Sequence, residues 1–399
     1  MSFERLARTA LLVATTSAVI TGAAHAPPAL ATPRAPAPPP RPGEADQVGP
    51  ATGPVSELPS ARVEVIELFV TNEMARWGVP GLSLAIAHEG ALVFANGYGF
   101  ADMENFVAAK ADTVYRLASV SKAMTAVLAL QLAERGALEL DEPVGPHCPA
   151  FPEKRWPITA RQLLAHHGGV RHYRDGEVPM TRHYTTLEEG LALFKDDPLE
   201  HEPGTRYLYS TYGYSLLGCV IEGVTERPFF EMLRESVLTP AGMTRTQPDD
   251  VQDLIPNRTR GYFRDARGAL LNAALADMSY KVPGGGLTGT APDVARFGWA
   301  LVTGVLLEAD SLDAMLTPVA VYEEDSEGYG LGMSVGERDG QPEAWHTGGQ
   351  EGASSALYFR PGDGPVVALL ANQQDVELAL LDLARRVADL VAAESGAPR

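Results

Sequence analysis

The apolar positions of the chain follow two periods, and these divide it into three parts. Leu82, Leu84 and Ile86 alternate with smaller residues, His88-Glu89-Gly90 reverses the chain, and Ala91 to Tyr98 continues extended, which predicts a β-hairpin. Ahead of it a helix is predicted from near Val55 to Trp77, ended by Gly78-Val79-Pro80. After it, Ala126, Val127, Leu128, Ala129, Leu130 and Leu132 leave almost no polar face, so this helix should be buried on all sides. Extended segments return at Tyr329 to Val335, Ala344 to Gly348, Ser354 to Phe359 and Val366 to Leu370, and Pro361-Gly362-Asp363-Gly364 turns the last two antiparallel. Val376, Leu380, Leu383, Val387 and Leu390 then recur at threes and fours, giving a closing helix one face to lay on the sheet. From Gly136 to about Gly284 the pattern is helical and loop-rich. The expected fold class is therefore α/β (α+β): an antiparallel sheet flanked by helices, from residues of about 55–135 and 285–397, with an inserted all-α lobe of about 136–284.

The N-terminal end changes the picture of where folding starts. Arg5 and Arg8, an apolar run from Ala10 to Ile20 and small residues up to Ala31 have the layout of a secretory signal peptide, expected over residues 1–31 with cleavage after Ala26 or Ala31. Its arginine-bearing, acid-poor character also fits a mitochondrial presequence. Residues 32–54 are rich in Pro, Ala and Gly and are expected to be a tether without a core, so the folded domain is placed at 55–397. A formal charge of −19 disfavours nucleic acid and anionic lipid as partners. The apolar run is short for a membrane span, so no integral segment is expected in the mature chain. Two cysteines cannot make a disulfide framework; Cys219 reads as a small core residue, Cys148 lies in a proline-bounded loop, and whether they pair is open.

The buried helix begins with chemistry. Ser119 and Lys122 form an S-x-x-K, and positions three apart share a helix face, so the amine reaches the hydroxyl. A lysine rooted in an apolar helix loses solvation, which lowers its pKa toward base duty. With 17 Ser and 5 Lys in the chain, about 0.2 such matches are expected by chance, so the motif needs company. Two segments supply it: Tyr209-Ser210-Thr211, leading into another apolar helix, and His346-Thr347-Gly348-Gly349 in a C-terminal strand. Pro283 to Gly289 lacks the Lys-Ser/Thr ending of a P-loop and reads as a tight turn into a helix capped by Thr290, with Asp293 three residues on. His166 and His167 read as helix-end caps or loop hydrogen-bonders, while His172 and Tyr173 are weaker candidates for the cleft mouth. The nine histidines show no ligand spacing, so neither metal nor cofactor is expected.

In this order the motifs resemble those of the serine β-lactamase and penicillin-binding-protein family, whose marks are S-x-x-K, a Tyr or Ser motif ending in Asn, and K-T-G on an edge strand. The Tyr form is similar to the class C β-lactamase and DD-peptidase branch. Leu163 to Tyr173, Leu208 to Tyr214 and His346 to Ser355 are similar to the mitochondrial serine β-lactamase-like proteins and their bacterial relatives. The resemblance implies a β-lactamase/transpeptidase-like fold, Ser119 as nucleophile, Lys122 and Tyr209 as proton relay, backbone N–H groups of Ser119 and Gly349 as oxyanion hole, and Thr211, His346, Thr347 and Gly348 as substrate-binding positions.

Two departures bear on the substrate. Thr211 stands where the family carries Asn, and His346 where it carries the Lys of K-T-G. Both weaken recognition of a β-lactam amide and carboxylate. The expected function is an exported, periplasmic or secreted serine hydrolase forming an acyl-enzyme on Ser119 and acting on peptides, D-amino-acid peptides, or small esters and amides. The alternatives are a class C-like β-lactamase and a non-catalytic scaffold or peptide-binding protein with a retained fold.

Overall fold

The computed structural model describes residues 55–321 and 327–392. The expected signal peptide and tether, residues 1–54, lie outside the described residues, as do 393–397 at the expected domain end.

Residues from both ends of the described chain build a ten-stranded antiparallel sheet. Its path runs β1 (Val55–Ser56), β3 (Ala91–Asp102), β2 (Gly81–His88), β7 (Val366–Ala371), β6 (Ala353–Phe359), β5 (Gln341–Gln350) and β4 (Ser334–Arg338), then Gly328–Tyr329 and Ala320–Val321, while the tenth strand, Val107–Ala108, pairs with β3 off this path. The register Leu84↔Leu369 joins the N-terminal hairpin to the C-terminal strands. Period-two alternation then sorts side chains to two cores. Leu82, Leu84, Ile86, Val367, Leu369 and Tyr358 face the helices Ser60–Trp77 (α1) and Glu377–Ala392 (α5). On the other face Ala85, Ala87, Ala95, Ala368 and Leu357 join the larger core. The small residues noted between Leu82, Leu84 and Ile86 serve that second face, where the helix Ala291–Val302 (α4) lies close: a Cβ on Gly298 would come within 2.5 Å of Val366 Cγ1. Thr290 caps α4 as expected, accepting from Asp293 N.

The pattern missed short extended pieces. Tyr262–Arg264 and Leu270–Asn272 form a hairpin within the stretch read as helical and loop-rich, and their three-residue length leaves no period to detect. Pro283 to Gly289, read as a turn, holds a helical turn at Val282–Gly285 and a strand at Leu287–Gly289 that pairs with Tyr115–Arg116 and Gln247–Pro248. That pairing carries Gly284 beside the start of the helix Ser121–Glu134 (α2).

Cys148 and Cys219 are joined by a disulfide, Cα–Cα 5.6 Å. The reading of Cys219 as a simple core residue is thus corrected: the helix Thr211–Thr225 (α3) packs on the Gly145–His147 turn and brings distant positions together, which no local pattern reveals. The bridge closes a loop of 71 residues in sequence separation, and the chain-entropy relation gives about 4 kcal/mol for a loop of that size. Replacing both cysteines with Ser is expected to lower unfolding free energy by about that amount in denaturant titration. An equal midpoint in both proteins would show that the bridge contributes nothing.

Candidate active site

Ser119 sits in a 3-10 turn, Ala118–Val120, that runs directly into α2. Ala118 adopts φ +47°, a left-handed conformation that a Cβ-bearing residue takes only when its surroundings enforce it. The turn leaves Ser119 half-buried at a cleft, while Lys122, one helical turn on, is fully buried. Its Nζ lies 3.0 Å from Ser119 Oγ, 3.1 Å from Thr211 Oγ1 and 2.5 Å from the Gly284 carbonyl oxygen. A neutral amine has two N–H donors and one lone pair; with Thr211 and Gly284 as acceptors, the lone pair is left to face the serine. Burial first, and then the charge of Lys281, hold this amine well below the usual 10.5.

Tyr209 immediately precedes α3. Ser210, the N-cap, accepts from Gly213 N and donates to the Arg171 carbonyl, fixing the approach to that helix. The Tyr209 ring lies 4.8 Å from Lys122 Nζ and 4.2 Å from the His166 ring. His166 is buried, with φ +59°, and its Nδ1 accepts from Ser210 N. It is a loop hydrogen-bonder, held neutral by burial and by Lys122. His172 Nδ1 accepts from Thr211 N, and burial pushes it down to about 4. The loop bearing His172 and Tyr173 is pinned by Arg171, whose guanidinium reaches Glu177, Asp197 and two carbonyls.

The third wall is β5. Its pairing with β4 ends at Trp345↔Ser334, whereas pairing with β6 continues to Gln350↔Ala353, so His346–Gln350 presents an open edge on the other side. Gly348 crosses the Ser119 turn: a Cβ there would lie 2.8 Å from Ser119 N and 2.7 Å from the Leu117 carbonyl oxygen. Only a glycine lets strand and turn approach this closely. Gly348 is therefore a close-approach position and not part of the cleft lining, which Thr347 and Gly349 do join.

His346 is placed differently from the expectation. Its Nδ1–H donates to the Thr347 carbonyl at 2.7 Å, and its Nε2 accepts from Tyr329 O–H at 3.1 Å. Both nitrogens are engaged away from the cleft, and burial holds the ring down to about 3, so it carries no charge at neutral pH. The aromatic cluster of Tyr329 and its neighbours drew the ring inward, a long-range contact that the H-T-G motif does not encode.

Ser119, Tyr209, Thr211, Thr347 and Gly349 all line one cleft of roughly 220 Å³. It is also lined by residues with no role expected from the sequence, Gly284, Gly285, Gln350, Glu377 and Lys281, besides the weaker candidates His172 and Tyr173. Lys281 sits three residues before Gly284, the first of the triple glycine at 284–286, and only its rarity in a chain with five lysines marked it.

With this fold and this Ser-Lys-Tyr grouping in place, the comparisons are specific. The family described as Beta-lactamase matches residues 66–392, and the chain belongs to that family. The human serine beta-lactamase-like protein LACTB, mitochondrial, is 28% identical over 409 aligned positions, covering 75% of each chain. A penicillin binding protein from Bacillus halodurans is 28% identical with TM-score 0.68, over 79% of this chain and 98% of that one. D-amino acid amidase from Ochrobactrum anthropi SV3 shares the fold at 24% identity and TM-score 0.73, over 84% of this chain and 100% of that one.

Proposed function

We propose that the chain is an exported hydrolase acting through an acyl-enzyme on Ser119. The observation that carries this reading is the contact of a desolvated Lys122 amine with Ser119 Oγ at 3.0 Å. Ser119 O–H gives its proton to Lys122 Nζ as Oγ bonds the substrate carbonyl carbon. Gly349 and Ser119 N–H groups receive the oxyanion, each donor being worth about 3 kcal/mol. As the bond to the leaving nitrogen or oxygen breaks, Lys122 and Tyr209 return the proton to it, and water then releases the acid by the same steps in reverse. Peptides, D-amino-acid peptides and small esters or amides fit this cleft better than β-lactams, because the cation of K-T-G is replaced by a neutral, inward-turned His346. Among the described residues no helix is long and apolar enough to cross a membrane. The Cys148–Cys219 bridge supports an oxidising compartment and hence export.

Turnover of a panel of D- and L-amino-acyl amides, p-nitrophenyl esters and a penicillin tests the reading. Ester or amide turnover with little penicillin loss supports it, whereas penicillin as the preferred substrate would overturn it in favour of a class C-like enzyme. Thr211 bears on the same choice. Its hydroxyl accepts from Lys122 and offers no amide to a substrate carbonyl. Thr211→Asn keeps an acceptor for Lys122 and adds an N–H donor, so penicillin acylation is expected to rise by about 10-fold. A slower acylation in stopped-flow measurements would contradict the role given to this position.

A further inference from the structure

Of the chain's five lysines, Lys122 and Lys281 are both buried, Lys122 behind Ser119 and Lys281 in the cleft lining, and their surroundings differ. Lys122 has three oxygen neighbours within hydrogen-bonding distance. Lys281, only 4% exposed, has none: among the described residues no hydrogen bond or ion pair reaches its Nζ, which instead lies 5.3 Å from the Tyr173 ring and 5.5 Å from the Tyr280 ring. Aromatic faces tolerate an ammonium but satisfy none of its three donors.

The charges around Lys281 leave it in need of an acceptor. Glu351 favours the ammonium from the turn after β5, beyond ion-pair distance, while Arg116 opposes it. Asp249 is already taken by Arg116 at 2.7 Å and Arg258 at 2.5 Å. Burial lowers Lys281 to about 8, so most of it is charged at neutral pH. A desolvated cation without a partner is costly to keep, and its cost is offset when a bound anion supplies the oxygens. The end of β5 where the family resemblance implies a cation has none, since His346 is neutral and turned away. The cleft's own cation stands toward the Gln350–Glu351 end.

We infer that Lys281 is a specificity-determining residue that binds a carboxylate on the substrate, making acidic acyl compounds the preferred class. This rests on the Ser119 hydrolase reading and extends it to substrate choice.

Two ester pairs test it: p-nitrophenyl hemiadipate against p-nitrophenyl hexanoate, with the carboxylate in the acyl half, and 3-carboxyphenyl butyrate against phenyl butyrate, with it in the leaving half. The readout is the ratio of kcat/KM, acidic over neutral, within each pair. A hydrogen bond to a charged group predicts that Lys281→Met lowers this ratio roughly 10- to 100-fold in one pair, mainly through KM, while Lys281→Arg retains most of it. In the wild type that ratio should fall as pH rises through about 8. Fluorophosphonate labelling of Ser119 in the Met variant verifies that it has folded. Ratios in both pairs that are indifferent to Lys281→Met overturn the inference, as does an equal fall of kcat on acidic and neutral esters, which would place Lys281 in the chemistry. If the wild type hydrolyses no ester and Ser119 takes no label, the hydrolase reading itself has failed.

Discussion

Ser119→Ala is expected to lower turnover of every accepted ester or amide by at least roughly 10⁴-fold, the scale on which a serine hydrolase depends on its nucleophile. The fold should be untouched. Ser119 is half-buried at a cleft, its Oγ touches Lys122 Nζ, and the turn that holds it is fixed from elsewhere: Leu117 N donates to the Leu287 carbonyl, and Ser355 Oγ donates to the Leu117 carbonyl. Removing one oxygen therefore removes the chemistry without removing a support. Equal thermal midpoints and lost turnover are the expected pair of results. Substantial residual turnover would mean that the reacting group lies elsewhere, and would leave the scaffold reading for Ser119 itself.

Lys122→Met should reduce kcat/KM by roughly 10³- to 10⁴-fold, the upper range for losing a positioned base. It carries a second signature in pH. Because the folded amine sits well below 10.5, the proposed base becomes neutral, and turnover rises, at a pH far lower than for a surface lysine. The Met variant should lack that rising limb. Linkage gives the matching sign for stability: in the window between the lowered folded value and 10.5 the unfolded chain binds more protons, so stability rises with pH there. The variant should lose this part of the pH dependence in chemical denaturation. A pH–rate profile with the same limb in both proteins would contradict the assignment of Lys122 as base.

What the sequence revealed and what it hid follow from the range of the interactions. The Ser119–Lys122 contact is local, set by one turn of helix, and the helix announces itself by its unbroken apolar run. Strand alternation likewise exposed the central sheet, because one period sorts Leu84 and Leu369 to one face and Ala85 and Ala368 to the other. The orientation of His346 depends on Tyr329, the Cys148–Cys219 bridge on how α3 meets a distant turn, and the Lys122 environment on the Gly284 carbonyl, 162 residues away. Such contacts are made by tertiary packing and leave no spacing to read. Lys281 was hidden for the same reason: it lies 159 positions beyond Lys122, at the end of the 3-10 turn Ser279–Lys281, which is too short to show a period. Tyr209 and Thr211 were visible because they belong to one three-residue motif, Tyr209-Ser210-Thr211, that leads into an apolar helix.

The most direct test of the central claim is intact-mass spectrometry of the protein after exposure to a fluorophosphonate and, separately, to a penicillin, with peptide mapping of any adduct. A single fluorophosphonate adduct on Ser119 is expected, with neither a lasting penicillin adduct nor rapid penicillin loss. No adduct from either reagent, or an adduct on another residue, would contradict that claim.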